Sequence, residues 1–192
     1  MATSRDQRDE RLVVVRELLD GPSIARALRR IASAIVERNG GVDKLVLVGI
    51  RTAGVPLAEC IATAILEADG HRPPVGAVDI TLYRDDVFVG LPKPEVGKTE
   101  LPQPIAGHKL VLVDDVLFTG RTVRAALDAV MDYGRPRAVE LAVLIDRGHR
   151  ELPIQPDYVG LATQTTREQS VRVDLTELGQ PDRALLRERR AG

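Results

Sequence analysis

Apolar residues along this chain follow two alternating rhythms. Ile24, Leu28, Ile31, Ala32 and Ile35 fall on one helical face, with Asp20 placed to cap that helix, Pro22 in its first turn and Gly40-Gly41 as a stop. "KLVLVGI" (44–50) is then apolar without a break, the pattern of a strand buried on both faces. "VPLAECIATAILEADG" (55–70) returns to helical spacing and ends on glycine. Val78, Ile80 and Leu82 alternate with Asp79, Thr81 and Tyr83, which predicts a strand with one face free. "KLVLVDD" (109–115), "GRTVRAALDAVMDYG" (120–134) and "AVELAVLID" (138–146) repeat the order strand, helix, strand, and another strand is expected near 170–175. This alternation predicts an α/β fold: a mostly parallel twisted sheet flanked by helices, with right-handed crossovers.

The stretch 85–107 breaks the rhythm. It holds Pro92, Pro94, Pro102, Pro104, Gly90, Gly97 and Gly107, and a loop that long inside a compact domain is usually functional, here expected to be a flexible lid. Residues 1–11 mix both charge signs and are expected to be disordered, 12–180 to form one domain, and the polar, Arg-rich 181–192 to fray. A chain of 192 residues, 44% hydrophobic, suits one well-cored domain. Its formal net charge of -1 gives no global case for a nucleic-acid or membrane-surface partner, so any such face must be local. Cys60 is the single cysteine, which excludes an internal disulfide and is expected to be buried within its helical run. No stretch approaches the roughly 20 apolar residues of a membrane span, and Leu12 to Val15 is too short for a signal-peptide core, so a cytoplasmic location is expected.

The chemistry concentrates in "VLVDDVLFTGRT" (111–122). In open parallel sheets, ligands bind beyond the carboxyl ends of the strands, where helix N-termini present unpaired N–H groups. Asp114 and Asp115 stand at such a strand end, and Thr119, Gly120, Arg121 and Thr122 open the next helix. That opening can wrap a phosphate, while the two carboxylates suit sugar hydroxyls or a metal ion beside it. The expected ligand is a phosphorylated sugar. A strand end with an Asx turn and a helix cap is the plainer alternative for an isolated Asp pair.

"VLVDDVLFTGRT" also resembles the PRPP-binding signature of type I phosphoribosyltransferases. Together with "DITLYRDD" (79–86), "GRPRAVELAVLIDRGHRELP" (134–153) and "PDYVG" (156–160), the chain is similar to the PyrR family, bifunctional pyrimidine operon regulators with uracil phosphoribosyltransferase activity. The resemblance spans about residues 12 to 175 and implies the type I phosphoribosyltransferase fold with a small hood and a lid. It implies conversion of uracil and PRPP to UMP and pyrophosphate, with Mg2+ carried on PRPP and no dedicated protein ligand. Asp114, Asp115 and Arg84 are then the catalytic candidates. Arg51, Thr52, Ala53 and Gly54 match the pyrophosphate loop, and Asp114, Asp115, Val116, Leu117, Phe118, Thr119, Gly120, Arg121 and Thr122 complete the PRPP site. Ile145, Asp146 and Arg147 match the segment near the base. Phe118 stands where 6-oxopurine enzymes of the superfamily typically carry an aspartate, which argues for a pyrimidine acceptor.

The resemblance adds UMP and UTP as ligands, a homodimer or higher homo-oligomer, no membrane partner, and pyr operon mRNA as a second partner. The candidates for RNA are Arg26, Arg29, Arg30 and Arg38 on the first helix, with His149 and Arg150 in "RGHRE". A solvated helix face is the alternative reading of the same arginines. Three departures from the regulatory members bear on it: Ser33 ends "RIAS" where "RIAH" is common, Gln155 replaces an arginine, and Leu161-Ala162 replace "KN". These departures favour the solvated face, and an RNA-binding attenuator or nucleotide sensor with little catalysis stays open beside the enzyme because binding needs nearly the same residues as turnover.

Overall fold

The computed structural model describes residues 12–83, 97–102 and 104–190. Residues 1–11 and 84–86, with the expectations of disorder and of a catalytic Arg84, lie outside the described residues. Five parallel strands form the main sheet in the order β3-β2-β4-β5-β6: β2 (Leu45–Ile50), β3 (Val75–Val78), β4 (Lys109–Leu117), β5 (Ala138–Asp146) and β6 (Tyr158–Ala162). Helices α1 (Gly21–Asn39) and α2 (Gly54–Asp69) cover one face and α3 (Arg121–Met131) the other. Alternate residues of each strand feed the two cores: Leu45, Leu47, Val111 and Val113 pack with α1 and α2, while Val46, Val48, Leu110 and Leu112 pack with α3. Burial on both faces is what an unbroken apolar run encodes.

Helix α1 begins as its caps dictate. The Asp20 carboxylate accepts the Ser23 N–H at 2.8 Å, which holds its pKa below the ordinary value, and Gly40 closes the helix in the left-handed region. Its buried residues are Ile24, Ala27, Leu28, Ile31, Ala32 and Ile35. Cys60 departs from expectation, being half-buried on α2 in a groove of about 390 Å³ beside α1.

Two other differences have clear causes. The strand expected over 78–83 instead occupies Val75–Val78. Asp79 ends it by accepting the Thr81 N–H at 2.8 Å, and Thr81–Tyr83 form a 3-10 turn. The expectation that 181–192 frays also fails over most of its length. Strand β8 (Arg183–Arg189) is central in a second, antiparallel sheet of order β1-β8-β7, between β1 (Leu12–Asp20) and β7 (Ser170–Asp174). Ala184, Leu185 and Leu186 are buried there, and Ala184 joins the α1 and α2 core. Asp174, 3% exposed, anchors this sheet through Arg172 Nε at 2.5 Å and Arg183 Nε at 3.0 Å.

Candidate active site

The strand order places a topological switch point at β2 and β4. The chain leaves β2 toward β3 on one side and reaches β4 on the other, so the loops after β2 and β4 flank one crevice. These loops hold Arg51 to Gly54 and Phe118 to Gly120. The sheet thus brings together two segments separated by more than sixty positions in the printed sequence.

The first loop fits tightly. A Cβ added at Gly54 would stand 2.2 Å from the Val113 carbonyl oxygen, one residue before Asp114, so only glycine allows this approach to β4. The Arg51–Thr52 peptide bond is cis. Arg51 donates its backbone N–H to the Val78 carbonyl and its Nε to the Lys98 carbonyl, both at 3.0 Å.

The end of β4, leading into the second loop, carries the carboxylates. Asp114 is 6% exposed and accepts the Asp115 N–H at 3.0 Å, while the Asp115 carboxylate accepts the Val116 N–H at 2.9 Å. Burial raises the Asp115 pKa above the ordinary carboxylate range, outweighing the opposing hydrogen bonds from Asp114 and the backbone. A carboxylate pair in that state gains from incoming hydroxyl donors or cations. Gly120, at φ 92°, precedes α3, whose first turn carries no acidic residue and whose N-cap position offers no side-chain hydrogen bond. The helix therefore presents amide donors that an anion can take. Val116 and Leu117 differ in kind from their neighbours, since both pack into the cores and Leu117 is fully buried.

"DRGHRELP" proves to be the brace of this loop. Arg150 donates to the Phe118, Gly148 and Ile154 carbonyls and to Asp146 Oδ2, and the Glu151 N–H reaches the Thr119 carbonyl at 2.9 Å. Glu151 also receives Arg121 Nε at 2.9 Å. Arg147, 5% exposed, lies with its guanidinium 3.9 Å from the Phe118 ring centre and donates to Thr165 Oγ1 and to the carbonyls of Thr166 and Gln169. Burial lowers its pKa. It joins the loop to the chain leading into β7.

Several of the expected site residues are engaged within the chain. The Ile145 side chain is wholly buried in the core, and the Asp146 carboxylate accepts the Gly148 N–H and Arg150 Nη2. Among the arginines expected to meet RNA, Arg150 is a loop brace, Arg30 donates to the Gly160 carbonyl at 2.6 Å, and Arg38 pairs with Asp157 at 2.9 Å and Glu140 at 3.5 Å. His149 Nε2 lies 2.6 Å from the Thr165 carbonyl. All four arginines of α1 are exposed; Arg26 contacts Ser23 of its own helix, and Arg29 lines the α1–α2 groove. The sequence reading missed Asp79, Gly97 and Lys98 beside Arg51; their signal lay in "DITLYRDD" and in the glycine of the long loop. Among the described residues, no three His, Cys, Asp or Glu side chains gather in a metal-holding group, and no helix is long and apolar enough to cross a membrane.

Comparison with known proteins gives the family and the fold. The phosphoribosyl transferase domain family matches residues 14–177. Bifunctional protein PyrR of Chloroflexus aurantiacus is 57% identical over 171 residues, covering 89% of this chain and 94% of its own. Bifunctional protein PyrR of Thermus thermophilus is 54% identical over 173 residues, covering 90% of this chain and 96% of its own. Among solved structures, hypoxanthine phosphoribosyltransferase of Trypanosoma cruzi superposes with a TM-score of 0.68 at 16% identity, covering 92% of this chain and 98% of that one. That of Staphylococcus aureus gives 0.65 at 20% identity, covering 96% of each chain; both likenesses establish the fold. With an uncapped α3 beside an aspartate pair at the switch point, and with these relatives over nearly its whole length, the chain belongs to the phosphoribosyl transferase domain family and, within it, to the PyrR proteins.

Proposed function

We propose that this protein transfers the phosphoribosyl group of PRPP to uracil, giving UMP and pyrophosphate, and that it also regulates pyrimidine operon transcription by binding mRNA in response to uridine nucleotides. The observation that carries the enzymatic part is the Asp114–Asp115 pair at the end of β4 and the open N-terminus of α3 just beyond it, facing the 51–54 loop across the switch point. The amides and hydroxyls from Thr119 to Thr122 take the 5-phosphate, and Asp114 and Asp115 take the ribose hydroxyls. Arg51 and the loop ending at Gly54 take the pyrophosphate. Held at three points, PRPP presents its anomeric carbon to the base. The C–O bond to pyrophosphate breaks with its electron pair on the leaving group, uracil N1 forms the new bond, and the N1 proton is released. Positioning and charge stabilisation do the work, with no covalent enzyme intermediate.

The donor set fits Mg2+ bound through PRPP: two adjacent carboxylates offer hard oxygen ligands beside the phosphate site. When bound, the ion disperses charge on the departing pyrophosphate. Uracil is favoured because Phe118, covered by Arg147 and edge-on to His149 at 5.7 Å, offers no acceptor for a purine ring proton. The deciding experiment supplies labelled uracil, hypoxanthine, adenine or orotate with PRPP and Mg2+. Uracil-selective UMP formation is expected. Turnover of hypoxanthine instead would overturn the base assignment, and folded protein that binds UMP without turning over any base would make it a nucleotide sensor.

A further inference from the structure

We propose that Asp79 is a positioning residue for capture of the leaving group: it holds residues 97–99 against the 51–54 loop and thereby sets the plane of the Arg51 guanidinium. This rests on the phosphoribosyl-transfer reading for its purpose, but the brace itself is geometry. Asp79 follows β3 directly, and the preceding Val78 carbonyl already accepts the Arg51 backbone N–H. One carboxylate oxygen accepts the Thr81 N–H at 2.8 Å, and the other accepts the Gly97 N–H at 2.9 Å. The Asp79 N–H donates to Thr99 Oγ1 at 3.0 Å, and Ala77 and Glu100 exchange both backbone hydrogen bonds at 2.8 Å. Lys98, between the two attachments, is left with its carbonyl 3.0 Å from Arg51 Nε.

An Asx turn that ends a strand needs only the bond to Thr81. The second oxygen, on Gly97, ties a segment eighteen positions away in sequence to the same carboxylate. Gly97 is required by closeness: a Cβ there would stand 2.3 Å from Asp79 Oδ2 and 3.4 Å from Arg51 Cδ. Because the guanidinium is planar, fixing Nε fixes the directions of its terminal nitrogens, the donors suited to paired phosphate oxygens. Donors oriented before the reaction need no rearrangement as charge develops on the leaving pyrophosphate.

Two variants test this without removing a site residue. In Asp79→Asn, one side-chain oxygen remains to serve two N–H groups; in Gly97→Ala, the new methyl displaces the carboxylate. Each is expected to raise the KM for PRPP and the Kd for magnesium pyrophosphate about tenfold, with the KM for uracil within about twofold of its starting value. In an Arg51→Ala background, Asp79→Asn is expected to add almost nothing, since its effect passes through that arginine. Unchanged pyrophosphate binding, an additive loss, an equal rise in the KM for uracil, or failure of both variants to fold would each overturn the proposal. Absence of transfer by the parent protein would instead remove the functional reading, and the pyrophosphate titration, which needs no turnover, would still decide the role of Asp79.

Discussion

Asp115 carries a conflict between stability and function. Its burial raises the pKa, so the folded state holds this proton more tightly than the unfolded chain does. The stability it contributes is fully present below its unfolded pKa of about 4 and is lost as pH rises through the folded value. Asp115→Asn removes that loss. The variant is expected to be at least as stable as the parent at pH about 7, with less decline in Tm from pH about 4 to 8, while kcat/KM for PRPP-dependent UMP formation falls about a hundredfold or more. Calorimetry across that pH range and the uracil assay check the two halves. Retained activity would detach Asp115 from the ribose.

At the scale of elements, the antiparallel sheet depends on one carboxylate. Burial by itself would raise the Asp174 pKa, but hydrogen bonds and charge from Arg172 and Arg183 outweigh it and hold it below the ordinary value. Its contribution is therefore present above an unfolded pKa of about 4 and is lost as pH falls through the lower folded value. Asp174→Asn is expected to cost about 2 kcal/mol at neutral pH, discounted because both arginines are partly exposed, and the gap between variant and parent should close in acid. Chemical denaturation at pH about 7 and about 3 measures this. The strand the anchor serves was hard to read. Strands β2, β4 and β5 announce themselves because burial on both faces demands unbroken apolar runs, and α1 because its caps are local. In "RALLRER" only Ala184 to Leu186 are apolar, and of the two partners that make it central, β7 directly precedes it but β1 lies at the other end of the chain. The aspartate pair was legible because strand end, carboxylates and helix start are contiguous. The Asp79–Gly97 contact was not, since it depends on how a long loop returns to β3.

For the whole molecule, the formal net charge of -1 means that RNA cannot be held by a general positive field, so a local set of cations must do it. The fold divides the basic residues of α1 into two groups. Arg30 and Arg38 are committed within the chain, Arg38 to a cluster in which Glu140 also receives the Tyr158 hydroxyl at 2.6 Å and Asn39 Nδ2 at 3.1 Å. Arg26, bonded to Ser23 of its own helix, and Arg29 are exposed as the other two are, but are not tied to another element by an ion pair or a backbone carbonyl. If α1 meets RNA phosphates, charge reversal at the uncommitted pair, Arg26→Glu with Arg29→Glu, should abolish UMP-stimulated retention of pyrimidine operon RNA while Tm and uracil turnover hold. Neutralising each arginine singly should reduce the slope of log affinity against log salt by about 1. Arg38→Ala should behave differently, lowering Tm because Glu140 and Asp157 lose their cation, and lowering RNA retention and turnover together. RNA retention that survives the double reversal would move the RNA face off α1, and a fall in Tm equal to that of Arg38→Ala would show that Arg26 and Arg29, too, serve the fold.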